Sequence, residues 1–527
     1  MLDLPPRLPA HHRLLWLLGN LLLLWLPLAA VDIPPLADLP QHMAQVREWQ
    51  ELLGWMPATR DLALLEANPL QPNALVYLPA LLLAQLTDAV TAGKLLVALL
   101  LGLHALALHV LALRLQRAPQ LAVLASVLAF NCAFYWCFAN YLLAMPLALL
   151  AVATLAVPGW SLRRELAVLA VLGLLLAWSH VLVLGMTGLL LGLMTLVRWP
   201  GLRRALLRGA ALAPALVYAL GFAAALADQR AKAGFSLEPA WFSGPAERLT
   251  LDWASRAFFG GLGGDTEDWL TAALLLWLVV GGVQALRRRQ ASAADRAGEP
   301  SDQALVPVLA AGALLVVWAW LAPDKYLNTI VFSRRFAPYG LMLLLLAVPP
   351  PQLPASQQRL QPLLAGLLPV ATAVVFALST ALGWLGWQAT EASGLRPALA
   401  AIGKPARVLG LDFVYQTEAL RLRVLLQQFA WAEALYGGEG NFSFAEHGSS
   451  VVRFVQPRPG SWTRGLEWNA GKVAPTDFAA FDYALVAGDA EVHARFGGFS
   501  GGTALTTQGV WRAWRLPAAQ LKPDSAD

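Results

Sequence analysis

The sequence predicts a polytopic α-helical membrane protein that ends in a small water-soluble α/β domain. Three observations carry this. Of the 527 residues, 58% are hydrophobic and only 13% are charged, whereas a soluble chain carries about 25% charged residues. Apolar runs recur from Leu14 to Trp387, many near the roughly 20 residues needed to cross about 30 Å of hydrocarbon. From Thr390 onward the pattern changes to short apolar segments separated by ordinary polar sequence.

Spans are expected at 14–31, 93–113, 119–138, 141–157, 166–178, 181–197, 209–226, 269–286, 304–322, 336–350 and 361–387, about eleven in all. The first follows Arg7 and Arg13 and reads as an uncleaved helix rather than a removed signal peptide. Residues 74–90 are apolar but hold Pro79 and Asp88, so they read as a re-entrant or interfacial piece. As one helix, 166–197 would be about 48 Å long, too long for the bilayer. Trp178-Ser179-His180 divides it into a hairpin, which keeps Arg163, Arg164, Arg198 and Arg203 on one side.

The arginines set the expected orientation. Arg114, Arg117, Arg204, Arg208, Arg287, Arg288, Arg289, Arg296 and Arg359 fall on that same side, with Arg7 and Arg13. The opposite turns hold only Lys325, Arg334 and Arg335. This places the N-terminus in the cytoplasm and the tail outside the membrane. The net charge of +5 follows from these topology-setting clusters and does not indicate nucleic acid. Cys132 and Cys137 lie in one apolar run and read as small core residues.

The expected domains are a membrane domain, 1–389, with long external loops at 32–73 and 227–268, and an extracytoplasmic α/β domain, 390–527. The second loop has an amphipathic stretch from Trp241 to Phe259. Residues 287–303 read as a polar, disordered linker and 349–359 as a stiff turn. In the tail, 406–415, 482–488 and 509–516 read as strands, 420–436 as a helix and 520–527 as a frayed end. The tail contains no Gly-rich phosphate loop, metal-ligand cluster or Ser/His/Asp constellation.

The most informative segment is VDIPPLADLPQHMAQVREWQELLGW, residues 31–55. Asp32 and Asp38 bracket a Pro-rich turn, and His42, Arg47 and Glu48 follow on an expected interfacial helix from Pro40. Two readings of Asp38 stand side by side. A carboxylate at the edge of hydrocarbon has its pKa pushed up, as suits a general base; an Asp before a Pro is also ordinary helix-start chemistry. Arg334 and Arg335 can grip a lipid phosphate or snorkel to headgroups. His180, at the hairpin tip, can bind substrate or bond between helix ends. His104 and His109 read as packed, and Lys94 and Lys325 as interface anchors.

The order of these features resembles the GT-C superfamily of polytopic membrane glycosyltransferases. Asp38-Leu39-Pro40-Gln41-His42 is similar to the D-x-P-x-H first-loop motif of a bacterial branch with that architecture. Asn140-Tyr141-Leu142, Ser179-His180 and Arg335-Phe336 extend the likeness over roughly 14–387. The resemblance implies an external site, a sugar donor linked to polyprenyl phosphate, and an acceptor of unspecified glycan, lipid or protein nature. It also implies a first-loop acid at Asp38, with Asp32 second, and substrate contacts from His42, Asn140, Tyr141, His180, Arg334 and Arg335. The expected chemistry is deprotonation of an acceptor hydroxyl and attack on the anomeric carbon with inversion. One departure counts against a divalent metal: 131–141 contains no carboxylate to form a second acidic motif. A transporter or flippase of a lipid-linked substrate, or a non-catalytic assembly protein, is the alternative from another class.

Overall fold

A computed structural model describes residues 9–156, 159–232, 237–291, 301–327, 329–415, 417–458 and 460–517. The expectations for Arg7, for the core of the polar linker (292–300) and for the frayed end (520–527) lie outside the described residues.

In chain order the helices begin with α1 (Ala10–Ala30), α2 (Leu39–Leu52), α3 (Tyr77–Leu86), α4 (Ala89–Arg114), α5 (Pro119–Ser126), α6 (Cys132–Tyr135) and α7 (Ala139–Ala156). They continue with α8 (Leu162–Ser179), α9 (Val181–Val197), α10 (Leu202–Lys232), α11 (Leu251–Phe258), α12 (Thr266–Ala291), α13 (Ser301–Leu321), α14 (Ala337–Ala347) and α15 (Leu368–Ala389). The expected spans overlap these helices, but 119–138 is not one helix: a 3-10 turn at Val127–Ala129 divides it into α5 and the short α6. Six are long and apolar enough to cross a membrane: α1, α4, α7, α10, α12 and α15, the last extended back to Leu363. Shorter apolar helices accompany them at Tyr77–Leu86, Pro119–Ala129, Val181–Val197 and Leu305–Leu321. The protein is a multi-pass membrane protein.

The chain divides into two compact units. The helical unit holds Met1–Ala30, Ala98–Phe134 and Asn140–Leu382. In it α8 and α9 form the expected hairpin. His180 alone interrupts the helices, with extended backbone (φ −164°, ψ 112°). Arg208 ties the far ends together, with Nε 2.6 Å from Glu165 of α8 and a guanidinium nitrogen 3.2 Å from Thr195 of α9. Small residues let helices approach: a Cβ on Gly340 of α14 would lie 2.8 Å from the Gly312 carbonyl oxygen of α13.

The second unit joins Val31–Val97 and Tyr135–Ala139 to Gly383–Asp527. Its sheet has the order β3-β2-β5-β7-β6, from β2 (Ala406–Asp412), β3 (Gly438–Gly440), β5 (Tyr483–Ala487), β6 (Thr503–Ala504) and β7 (Trp511–Arg515). β2 is parallel to β3 and β5, and β7 is antiparallel to β5. First-loop residues take part directly. β1 (Leu65–Ala67) pairs antiparallel with β4 (Val452–Phe454), Glu66 opposite Arg453.

Two elements differ from expectation. Residues 420–436 form a helix only at α17 (Trp431–Tyr436), after a 3-10 turn at Gln428–Ala430. α2 is not interfacial: Leu39 through Glu51 are all buried within the unit. Its polar side chains are not in water but in hydrogen bonds to other parts of the unit, a pairing that periodicity along the helix does not reveal.

Candidate functional site

Asp38 stands at the head of α2 and is half-buried. It occupies the N-cap position, but its backbone is helical (φ −91°, ψ −5°) and its side chain makes no capping hydrogen bond. Capping therefore does not consume the carboxylate. The turn that carries it is fixed by main-chain bonds to the turn at 135–139: Ala37 N–H donates to the Tyr135 carbonyl at 2.9 Å and Asp38 N–H to the Trp136 carbonyl at 3.1 Å. Cys137 at the centre of that second turn has φ +54°, a backbone conformation few side chains adopt.

His42, one turn into α2, is buried beside Asp38's turn. Its Nε2 lies 3.0 Å from the Cys137 carbonyl and its Nδ1 2.7 Å from the Tyr77 hydroxyl. A carbonyl only accepts, so Nε2 carries the proton and Nδ1 accepts from Tyr77. Burial lowers the His42 pKa to about 4. Both ring nitrogens are engaged, so His42 braces the turn. Asp32 is exposed; it sits 3.6 Å from Arg396, and its N–H donates to Gln388 Oε1 at 2.5 Å.

Sequence reasoning missed a charged network deeper in α2. Arg60 donates to Glu48 at 3.2 Å, to Glu51 at 3.1 Å and to Glu433 of α17. Arg47 adds a 2.8 Å bond to Glu51, and Ser443 donates to Glu48 at 3.1 Å. Burial and the neighbouring Glu433 push the Glu48 carboxyl well above the usual carboxylate range. Arg60 and Glu433 stand 373 positions apart, so nothing local in the sequence announces them.

The other expected residues lie in the helical unit. Tyr141, at the start of α7, donates its hydroxyl to the Arg335 carbonyl. The His180 ring meets the Tyr141 ring edge-on at 5.7 Å, and the Arg335 guanidinium lies 5.7 Å over the same ring. Arg335 also donates to the Ile330 carbonyl at 2.9 and 3.2 Å. The structure thus brings Tyr141, His180 and Arg335 together. Asn140 Oδ1, His180 Nδ1 and Arg334 Nε are buried without a hydrogen-bond partner among the described residues. Such atoms are costly unless something satisfies them. The arginine loop is itself anchored: Asp324 accepts from Ser333 at 2.8 Å and from Arg248, in the second long loop, at 2.8 Å. His104 is packed, its Nε2 2.9 Å from the Tyr339 hydroxyl.

Among the described residues no group of three or more His, Cys, Asp or Glu side chains is arranged to hold a metal ion. The surroundings of Asp38 do not fit one either, since both nitrogens of His42 are engaged and 135–139 carries no carboxylate.

No protein-family model and no curated protein matches the chain. Solved structures do. ArnT from Cupriavidus metallidurans in the apo state is 12% identical with a TM-score of 0.53, covering 96% of this chain and 98% of that one. The same enzyme bound to undecaprenyl phosphate has a TM-score of 0.47 at 12% identity and the same coverage. The mycobacterial arabinofuranosyltransferase AftD is 17% identical with a TM-score of 0.46, covering 97% of this chain and 40% of that one. ArnT and AftD are GT-C glycosyltransferases. The likeness is one of fold, carried by the apo ArnT structure over nearly the full length of both chains. The chain is thus similar in fold to the GT-C class of polytopic membrane glycosyltransferases, as its motifs led us to expect.

Proposed function

We propose that the protein transfers a sugar from a polyprenyl-phosphate-linked donor to an acceptor hydroxyl on the extracytoplasmic side of a bacterial inner membrane. The observation that carries this reading is Asp38: a half-buried carboxylate on a doubly pinned turn, not used to cap its helix. Asp38 takes the proton of the acceptor hydroxyl. The freed oxygen attacks the anomeric carbon, the bond from that carbon to the phosphate oxygen breaks, and the phosphate departs with the electron pair. In-line attack inverts the anomeric centre. Arg334 and Arg335 are assigned to the phosphate, which a guanidinium grips through two parallel hydrogen bonds. Asn140 and His180 supply neutral polar atoms for the same headgroup. Asp32, exposed and paired at the surface, is the weaker candidate for the base.

Reconstitution tests this. Purified protein in liposomes is given polyprenyl-phosphate-linked hexose and pentose donors with an envelope-glycan acceptor fraction. Transfer with release of polyprenyl phosphate is expected. Arg335→Ala should weaken donor binding, and Arg335→Lys should restore it only in part, because a point charge lacks the guanidinium fork. Intact donor moved across the bilayer without cleavage would replace this reading with a flippase.

A further inference from the structure

The geometry points to a saccharide-binding platform in the second unit, formed by Trp136, Phe138, Trp468 and Tyr415 with Arg423 and Asp412, which takes a sugar ring of the acceptor next to Asp38. It rests on the reading of Asp38 as the base and names the acceptor class for that site.

The aromatic groups are continuous. Trp136 and Phe138 stack with ring centres 5.9 Å apart and planes within 11°. Trp468 lies 6.1 Å from Trp136 and is 46% exposed. Arg423 links Trp468 to Tyr415: it donates to the Trp468 carbonyl at 3.2 Å, and its guanidinium lies 5.1 Å over the Tyr415 ring. Tyr415 is itself 37% exposed. Two of the chain's left-handed non-glycine residues support this surface. Cys137 (φ +54°) sits between Trp136 and Phe138, and Tyr415 has φ +48°. Bulky residues in that region are uncommon and invite a functional explanation. The platform adjoins the base through one residue, because the Trp136 carbonyl accepts from Asp38 N–H at 3.1 Å.

The polar side of the surface identifies the ligand. Asp412 ends β2, where the chain turns to β3 on one side and later to β5 on the other. The carboxyl ends of parallel strands at such a switch are the usual place for ligands in open α/β sheets. Asp412 is 5% exposed. Its Oδ1 accepts from Val414 N–H at 2.9 Å, while Oδ2 has no hydrogen-bond partner among the described residues. Arg423 is the charge acting on it, and Arg423 Nε is likewise buried and unsatisfied. A purely lipid-facing patch would not hold one unsatisfied carboxylate oxygen and one unsatisfied guanidinium nitrogen at its edge. A sugar ring offers what this surface needs, an apolar C–H face for the aromatic rings and hydroxyls that donate to the carboxylate and accept from the guanidinium.

The test uses the full chain in lipid nanodiscs on an array of defined hexose- and pentose-containing tri- and tetrasaccharides, with Ser- and Thr-rich peptides printed beside them. Wild type is expected to bind a subset of the saccharides. Trp468→Ala, at a largely exposed position, should weaken that binding by about tenfold or more, and Asp412→Asn should weaken it as well. No saccharide binding by wild type, binding to the peptides instead, or full binding by Trp468→Ala would overturn the platform. Failure of the underlying reading looks different: Asp38→Asn would then transfer sugar at the wild-type rate, whatever the array shows.

Discussion

His42 shows how much one residue's role depends on its surroundings. In the sequence it is part of a motif whose family resemblance implies a substrate contact; in the folded unit, bonds to Tyr77 and Cys137 engage both its ring nitrogens. The consequence is a pH dependence. The folded pKa, about 4, lies below the unfolded value near 6.5, so between those limits the unfolded chain binds the extra proton. The contribution of His42 is therefore complete above about pH 6.5 and is lost as pH falls toward 4, at most about 3 kcal/mol. Glu48, raised instead, acts with the opposite sign, its contribution declining as pH rises above the ordinary carboxylate range. Thermal unfolding in detergent should show a midpoint that drops between pH 7 and pH 5, and His42→Gln should flatten the drop. An equally steep drop in the variant would mean that another group titrates. Asp38 was legible in the sequence because it stands in a short motif beside a span. Its pinning by Trp136 was not, because a hydrogen bond between two turns leaves no periodic trace.

Elements divide in the same way. The apolar spans were legible because twenty consecutive apolar residues have few fates besides a bilayer. The break at His180 was legible because helix length and the arginine count both demanded it. α2 was placed in the sequence, but its environment was not. A helix polar on all sides reads as solvated or interfacial, yet here its charges are buried against Arg60 and α17. The supposed helix at 420–436 gave way to turns over most of its length, although its apolar spacing fits a helix. The network is the device that holds α2 in the second unit. Removing Arg60 leaves Glu48, Glu51 and Glu433 buried with Arg47 as the one remaining cation of the cluster. Arg60→Ala should cost about 3–5 kcal/mol, and partial recovery is expected on adding Glu433→Gln, which removes one stranded carboxyl. Limited proteolysis of membranes should then cut within 53–64 in the single variant before any cut in wild type. Equal resistance of Arg60→Ala would show that the network carries little of the stability.

In the helical unit, arginines gather at one end. Arg114 and Arg164 flank Trp160 at 4.8 and 4.4 Å. Arg117 donates to the Ala347 carbonyl at the end of α14 at 2.7 Å, and Arg208 reaches both α8 and α9. The Tyr141, His180 and Arg335 group lies at the opposite ends of α7, α8 and α14. We propose, by the positive-inside rule, that the arginine-rich end faces the cytoplasm and the group around Arg335 faces outside. Reporter fusions at Ser292 and after Asp527 should report opposite compartments; the same compartment for both would shift the span count by one. The account as a whole depends on one residue more than any other. Donor turnover by Asp38→Asn, measured in liposomes at matched protein level alongside donor binding, tests it most directly. The side chain keeps its shape and loses its basicity, so turnover should fall by roughly 10²–10⁴ while donor binding stays near wild type. Wild-type turnover by Asp38→Asn would contradict the assignment of the base and, with it, the proposed mechanism.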